Sequence, residues 1–423
     1  MLIGAGSAAL LAQRPDAFPA TLDHPAIEYF IRPAEDPIAR LNAALRLGAA
    51  HLAFEPASGY LLALLAATQV PIESQLLVFS EASAQAAQIN PRNPRALYFN
   101  DEVAVGWVRG SKVIEVAALD PRQGVMFYTL EQTPASRPQF ARDNSCLACH
   151  RSWDSYAVPG LQTLSTFPMA DDKNAYASGL VSDHRTAMNQ RWGGWYVTGK
   201  SVPARHLGNL PVVRPSDQGA STVAPALTSL DGRFDLTGYP STYSDVAALM
   251  VLEHQTRMTN LITWVGWESR IAASAARVPR VAGSKADGVP AVDRVTYAAR
   301  ELVDYLLFVD EAPLPRRVEG SSGFTEWFSA RGPVDRKGRS LRQLDLTQRL
   351  LRYPCSYMIE SGAFDALPTV AKEAVYRRLW DVLSGRDATA AYARLSRDDR
   401  QAIVEILRET KRDLPDYFQP VTR

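Results

Sequence analysis

Five consecutive residues, Cys146-Leu147-Ala148-Cys149-His150, constrain this chain more than any other feature. The 423 residues hold three cysteines, the third being Cys355. An odd count with two in one short motif does not make a disulfide framework, so the fold must rest on its core rather than on cross-links. Two thiols three positions apart, followed at once by an imidazole, form the C-x-x-C-H spacing of c-type haem attachment. The thiols add to the two vinyl groups on one porphyrin edge, and the neighbouring histidine then lies beneath the iron. With three Cys and six His, chance yields the pattern in on the order of a few chains in ten thousand. A thioredoxin-like dithiol expects a βαβ setting, and structural zinc expects four ligands; neither context surrounds Cys146. The expected cofactor is therefore one covalent haem c on Cys146 and Cys149, with His150 on the iron.

Composition narrows the partners. Apolar residues make up 46% and charged residues 22%, an ordinary globular balance. Lys and Arg number 46 against 45 Asp and Glu, so no basic excess points to nucleic acid. No stretch reaches the roughly 18 apolar residues of a membrane span. Met1–Ala12 is apolar and small, like the core of a secretory signal without its basic start, with a cut after Ala12. Thioether attachment is completed outside the cytoplasm, so motif and terminus agree on a periplasmic or otherwise exported protein.

The expected fold class is α+β, mainly α: a small antiparallel sheet, then a helical cytochrome c-like haem region, then a helical C-terminal region. The expected units are a truncated signal segment over 1–20, a helical then β-rich region over 21–140, a haem region with long loops over 141–243, and a helical region over 244–415. Apolar periodicity predicts helices within 24–70 and strands at Leu76–Phe79, Val103–Val108, Val113–Ala117 and Val125–Leu130. Trp192–Gly199 reads as a further strand and 200–243 as a long loop. Helices are expected over Asp245–Ala273 with a Tyr243-Ser244 cap, over Val292–Val309, and near 341–352, 367–384 and 397–411, the last opening on a Ser396–Asp399 capping box.

At its C-x-x-C-H motif the chain resembles c-type cytochromes. In that family a proline carbonyl typically accepts the hydrogen bond of the proximal histidine, a role the resemblance lends to Pro159 in Pro159-Gly160-Leu161. A longer resemblance, over roughly 75–410, is to uncharacterised exported bacterial c-type cytochrome-like proteins. It is carried by Leu76-Leu-Val-Phe-Ser80, Asn93-Pro-Arg-Ala-Leu-Tyr-Phe-Asn-Asp101, Arg191-Trp-Gly-Gly-Trp-Tyr-Val-Thr-Gly199, Arg205-His-Leu-Gly-Asn209 and Tyr353-Pro-Cys-Ser-Tyr-Met358, and it implies no particular reaction.

The second axial position decides between carrying electrons and doing chemistry. Met169, after Phe167-Pro168, is the first candidate ligand, with His206 and His254 as alternatives. His184 ranks lower because Asp183 and Arg185 suggest a salt-bridged turn. Trp153, Trp192 and Trp195 are candidate haem walls, and Cys355 reads as a small buried apolar residue. The expected function is electron transfer with a redox partner protein. The alternative is a haem-dependent oxidoreductase whose sixth position is open or displaceable.

Overall fold

The computed structural model describes residues 22–80, 82–166, 179–210, 223–276 and 291–419. The fold is α+β, as expected. Met1–Ala12 and Met169 lie outside the described residues. Among the described residues no helix is long and apolar enough to cross a membrane.

After helices α1 (Pro37–Leu47) and α2 (Leu61–Ala67) the chain builds a six-stranded antiparallel meander. Its strands are β1 (Leu76–Val78), β2 (Arg95–Phe99), β3 (Val103–Trp107), β4 (Val113–Asp120), β5 (Gly124–Glu131) and β6 (Phe140–Arg142), in sequence order across the sheet. The period-2 pattern assigns each side chain to a face. Ala96, Tyr98, Val105, Val116, Met126 and Tyr128 share the fully buried face. There the Tyr128 hydroxyl donates to Asp36, whose other carboxylate oxygen caps α1. The opposite face carries Arg95, Leu97, Gly106, Glu115, Ala117 and Phe127. β2 and β6, which the expected strands omit, complete the sheet, and β6 delivers the chain to the C-x-x-C-H motif.

The β4–β5 turn shows how the sheet meets the rest of the molecule. Asp120 accepts from the amides of Arg122 and Gln123, and Gly124 closes the turn at φ +91°. A Cβ on Gly124 would lie 2.6 Å from Thr263 Cγ2, so only glycine satisfies both the backbone and the neighbour.

Beyond the motif helix α3 (Leu147–His150) come a two-stranded sheet, β7 (Thr163–Thr166) with β8 (Gly179–Ser182), and long loops. Among the described residues, α3 is the longest helix of the 141–243 region, in place of the helical surroundings expected there. The Trp192–Gly199 strand does not form, because Trp192 and Gly194 adopt positive φ; Trp195 bridges Val78 instead.

Helix α4 (Val246–Ala275) is the axis of the molecule, with 24 of its 30 residues buried. Its cap is Asp245 rather than the expected Tyr243-Ser244. Asp245 Oδ1 accepts from the Ala247 and Ala248 amides, while Oδ2 takes the Ser321 and Ser322 amides. Helices α5 (Ala291–Leu306), α6 (Phe324–Ser329), α7 (Gly362–Asp365), α8 (Thr369–Leu383) and α9 (Arg397–Thr410) follow. Val295, Ala298, Ala299, Leu302 and Leu306 are buried on α5, as their spacing implies, and the Ser396–Asp399 capping box is present. The helix expected near 341–352 is absent. Asp345 accepts from the Thr347 and Gln348 amides and Leu346 sits at φ +54°, so a local side-chain turn outcompetes the helix.

Candidate functional site

The motif is reached by a short, tightly capped turn. Asp143 still donates to the Phe127 carbonyl across β5 (2.9 Å), and its carboxylate accepts from the Ser145 amide (2.9 Å). A 3-10 turn over Asn144–Cys146 then runs into α3. Residues three and four apart share a helix face, which brings Cys146, Cys149 and His150 to one side. Both thiols are free, Cys146 half-buried and Cys149 exposed. Burial, reinforced by Asp143 and Glu115, pushes the Cys146 thiol up to about 11. A redox dithiol needs the opposite, a depressed and reactive thiolate.

His150 and Gly160 hold each other twice. The Gly160 amide donates to the His150 carbonyl (2.9 Å), and His150 Nδ1 lies 3.1 Å from the Gly160 carbonyl. A carbonyl only accepts, so Nδ1 carries the proton and Nε2 keeps its lone pair free. The ring packs on Phe127 at 4.8 Å between centroids. Burial, with a smaller push from Arg95, lowers the imidazole to about 4, so it is neutral at pH 7. The acceptor is thus Gly160 rather than Pro159. The Pro159 carbonyl faces the sheet and accepts from the Val125 amide (3.3 Å).

One stripe of α4 secures the loops around this histidine. Glu253, Arg257, Asn260 and Trp264 follow the i, i+4, i+7, i+11 spacing of a single helix face. Trp264 stacks on Tyr156 at 4.8 Å, and Arg257 bonds the Tyr156 hydroxyl (2.8 Å) and pairs with Asp183 (3.3 Å). Asn260 Oδ1 accepts from the Leu161 amide (3.0 Å) and its Nδ2 donates to the Leu161 carbonyl (2.7 Å). Glu253 pairs with Arg191 at 3.1 Å, both side chains buried. Of this helix the sequence singles out His254 and not this stripe. The signal was polar residues recurring at helical spacing inside an otherwise apolar segment.

The remaining candidates fall into different environments. His254 is fully buried and both its ring nitrogens are engaged: Nδ1 with His184 Nδ1 (2.8 Å) and Nε2 with Ser356 Oγ (2.7 Å). His184 belongs to this pair rather than to a salt-bridged turn, and Tyr305 and Phe308 stack on both rings. Burial holds both histidines well below the ordinary imidazole range. His206 is 3% exposed and packs edge-on against Trp192, with Nδ1 buried and without a hydrogen-bond partner among the described residues. Burial lowers it to about 4. Trp192 is buried, Trp195 donates to the Leu164 carbonyl (2.7 Å), and Trp153 is 67% exposed. Cys355 is fully buried. Among the described residues no group of three His, Cys, Asp or Glu side chains is placed to hold a bare metal ion.

Comparison with protein-family models, with characterised proteins and with solved structures returns no significant match. The functional reading therefore rests on the motif and its geometry.

Proposed function

We propose that this chain is an exported monohaem c-type cytochrome that transfers electrons to or from a redox partner protein. Cys146 and Cys149 hold the haem through thioethers and His150 Nε2 ligates the iron; the bound haem supplies the one-electron couple. The observation that carries this reading is the pair of hydrogen bonds between His150 and Gly160. It sets the tautomer a metal-bound imidazole requires, and metal-ligating histidines characteristically donate their other ring nitrogen to such a partner. A neutral His150 at pH 7 keeps the Nε2 lone pair that ligation requires. For the sixth position Met169 remains our first proposal. His206, whose buried Nδ1 has no partner among the described residues, is favoured over His254, whose nitrogens are both engaged.

The test is production of the full chain in a host that matures c-type cytochromes. The exported protein is expected to gain the mass of one haem and to keep its colour through acid–acetone extraction. Cys146→Ser with Cys149→Ser should abolish the covalent product. A colourless wild-type protein, beside other cytochromes matured normally in the same cells, would overturn the reading. A high-spin spectrum that responds quickly to cyanide would replace electron transfer by the oxidoreductase alternative.

A further inference from the structure

The atoms around Gly160 and Leu161 belong to one peptide group. Its carbonyl oxygen, that of Gly160, accepts the His150 Nδ1 proton at 3.1 Å. Its N–H, that of Leu161, donates to Asn260 Oδ1 at 3.0 Å. His150 and Asn260 therefore grip opposite ends of a single rigid plane. The orientation of the Asn260 amide follows from its partners: the Leu161 N–H requires an oxygen and the Leu161 carbonyl, at 2.7 Å from Nδ2, requires a donor. Asn260 is 2% exposed, so water does not compete for these bonds. Gly160 makes the approach possible, since a Cβ there would lie 2.2 Å from Asn260 Oδ1.

Such a chain of hydrogen bonds does two things. It fixes where the Gly160 carbonyl points, and so the rotation of the imidazole. It also polarises the shared peptide: an acceptor on the N–H raises the negative charge on the carbonyl oxygen, which strengthens the bond to Nδ1–H. A stronger bond at Nδ1 makes Nε2 a better donor to iron.

We propose that Asn260, on a helix about a hundred residues downstream of the motif, is the positioning residue of the proximal histidine and sets its donor strength through the Gly160–Leu161 peptide. The proposal rests on His150 being the axial ligand. Losing Asn260 weakens the Nδ1 bond, makes the imidazole a poorer donor to oxidised iron, and raises the reduction potential.

The test compares wild type, Asn260→Ala and Trp264→Phe as haem-loaded full chains. Trp264 contacts the same loop through its stack on Tyr156, whereas the bonds to the Leu161 amide and carbonyl come from Asn260. Asn260→Ala is expected to raise the potential by roughly tenfold in the reduction equilibrium, 59 mV for one electron, while Trp264→Phe lowers stability and leaves the potential in place. An unchanged potential in Asn260→Ala, or an equal shift in Trp264→Phe, overturns the proposal. Hydrogen exchange on the wild-type haem-free chain gives a second arm that needs neither variant nor cofactor. The Leu161 amide is expected to be among the slowly exchanging amides of its loop, and rapid exchange there overturns the proposal. A wild-type chain that takes up no haem while protecting Leu161 defeats the functional reading instead.

Discussion

Replacing Gly160 by alanine adds one methyl group at the most crowded point beneath His150. The new Cβ would sit 2.2 Å from Asn260 Oδ1 and 2.7 Å from its Cγ. Those distances are far inside contact, and Asn260 cannot swing aside without releasing both bonds to Leu161. Each bond contributes about 1 kcal/mol net, and each buried group left unpaired costs about 1–3 kcal/mol. The expected loss is about 2–5 kcal/mol, a large part of the 5–15 kcal/mol typical of a folded domain. Gly160 does not adopt positive φ, so the penalty is steric and not conformational. That makes it separable. In an Asn260→Ala background the colliding atoms are gone, and Gly160→Ala should be neutral or gain about 0.4–1 kcal/mol from a less flexible unfolded chain. Urea unfolding of the four haem-free proteins at pH 7 reads the coupling directly, expected at about 2 kcal/mol or more. A Gly160→Ala cost below about 1 kcal/mol, or the same cost in both backgrounds, would refute the argument.

The buried pair Arg191–Glu253 and the carboxyl of Glu311 give two further tests. Arg191 also donates to the Thr186 and His184 carbonyls, so Glu253→Gln strands a buried guanidinium and is expected to cost about 3–5 kcal/mol in urea unfolding, while Arg191→Met with Glu253→Leu together costs far less; equal losses would contradict this. Burial pushes Glu311 up to about 7 even though it accepts from the Leu350 amide. A raised folded value means the stabilising protonated form is fully present below the unfolded value near 4.3 and is lost as pH rises through 7. Glu311→Gln should then match wild type near pH 4.5 and exceed it by up to about 3 kcal/mol at pH 8.5, and a difference independent of pH would count against it.

The C-x-x-C-H spacing is visible because it is contiguous, and the α+β class was legible because it is a matter of period. The long helix and its buried neighbour α5 were legible for the same reason. What the sequence hid is pairing at a distance. Nothing near Gly160 announces that its carbonyl, and not that of Pro159, faces His150; the backbone between Tyr156 and Leu161 decides it, through two left-handed residues, Tyr156 and Ala157, that composition does not mark. The sequence places His184 in a salt-bridged turn because Asp183 and Arg185 flank it. Asp183 in fact reaches across to Arg257, leaving the imidazole to turn inward toward His254. The turn at Asp345 misled in the other direction, since an apolar rhythm compatible with a helix yields to a side chain that satisfies the same backbone amides.

The clamp on Leu161 also bears on the order of events along the chain. Asn260 lies 99 residues after the amide it binds, so a polypeptide emerging from its N-terminus presents both thiols and the imidazole long before α4 exists to pin them. During that interval the Cys146–His150 segment has its local turns, β6 and the packing of His150 on Phe127, but not the clamp from α4. Closing a contact this far apart in sequence carries a loop-closure cost that local turns do not. The final orientation of the imidazole thus depends on a helix that is made after it, and the Leu161 contacts to Asn260 are complete only once α4 is in place.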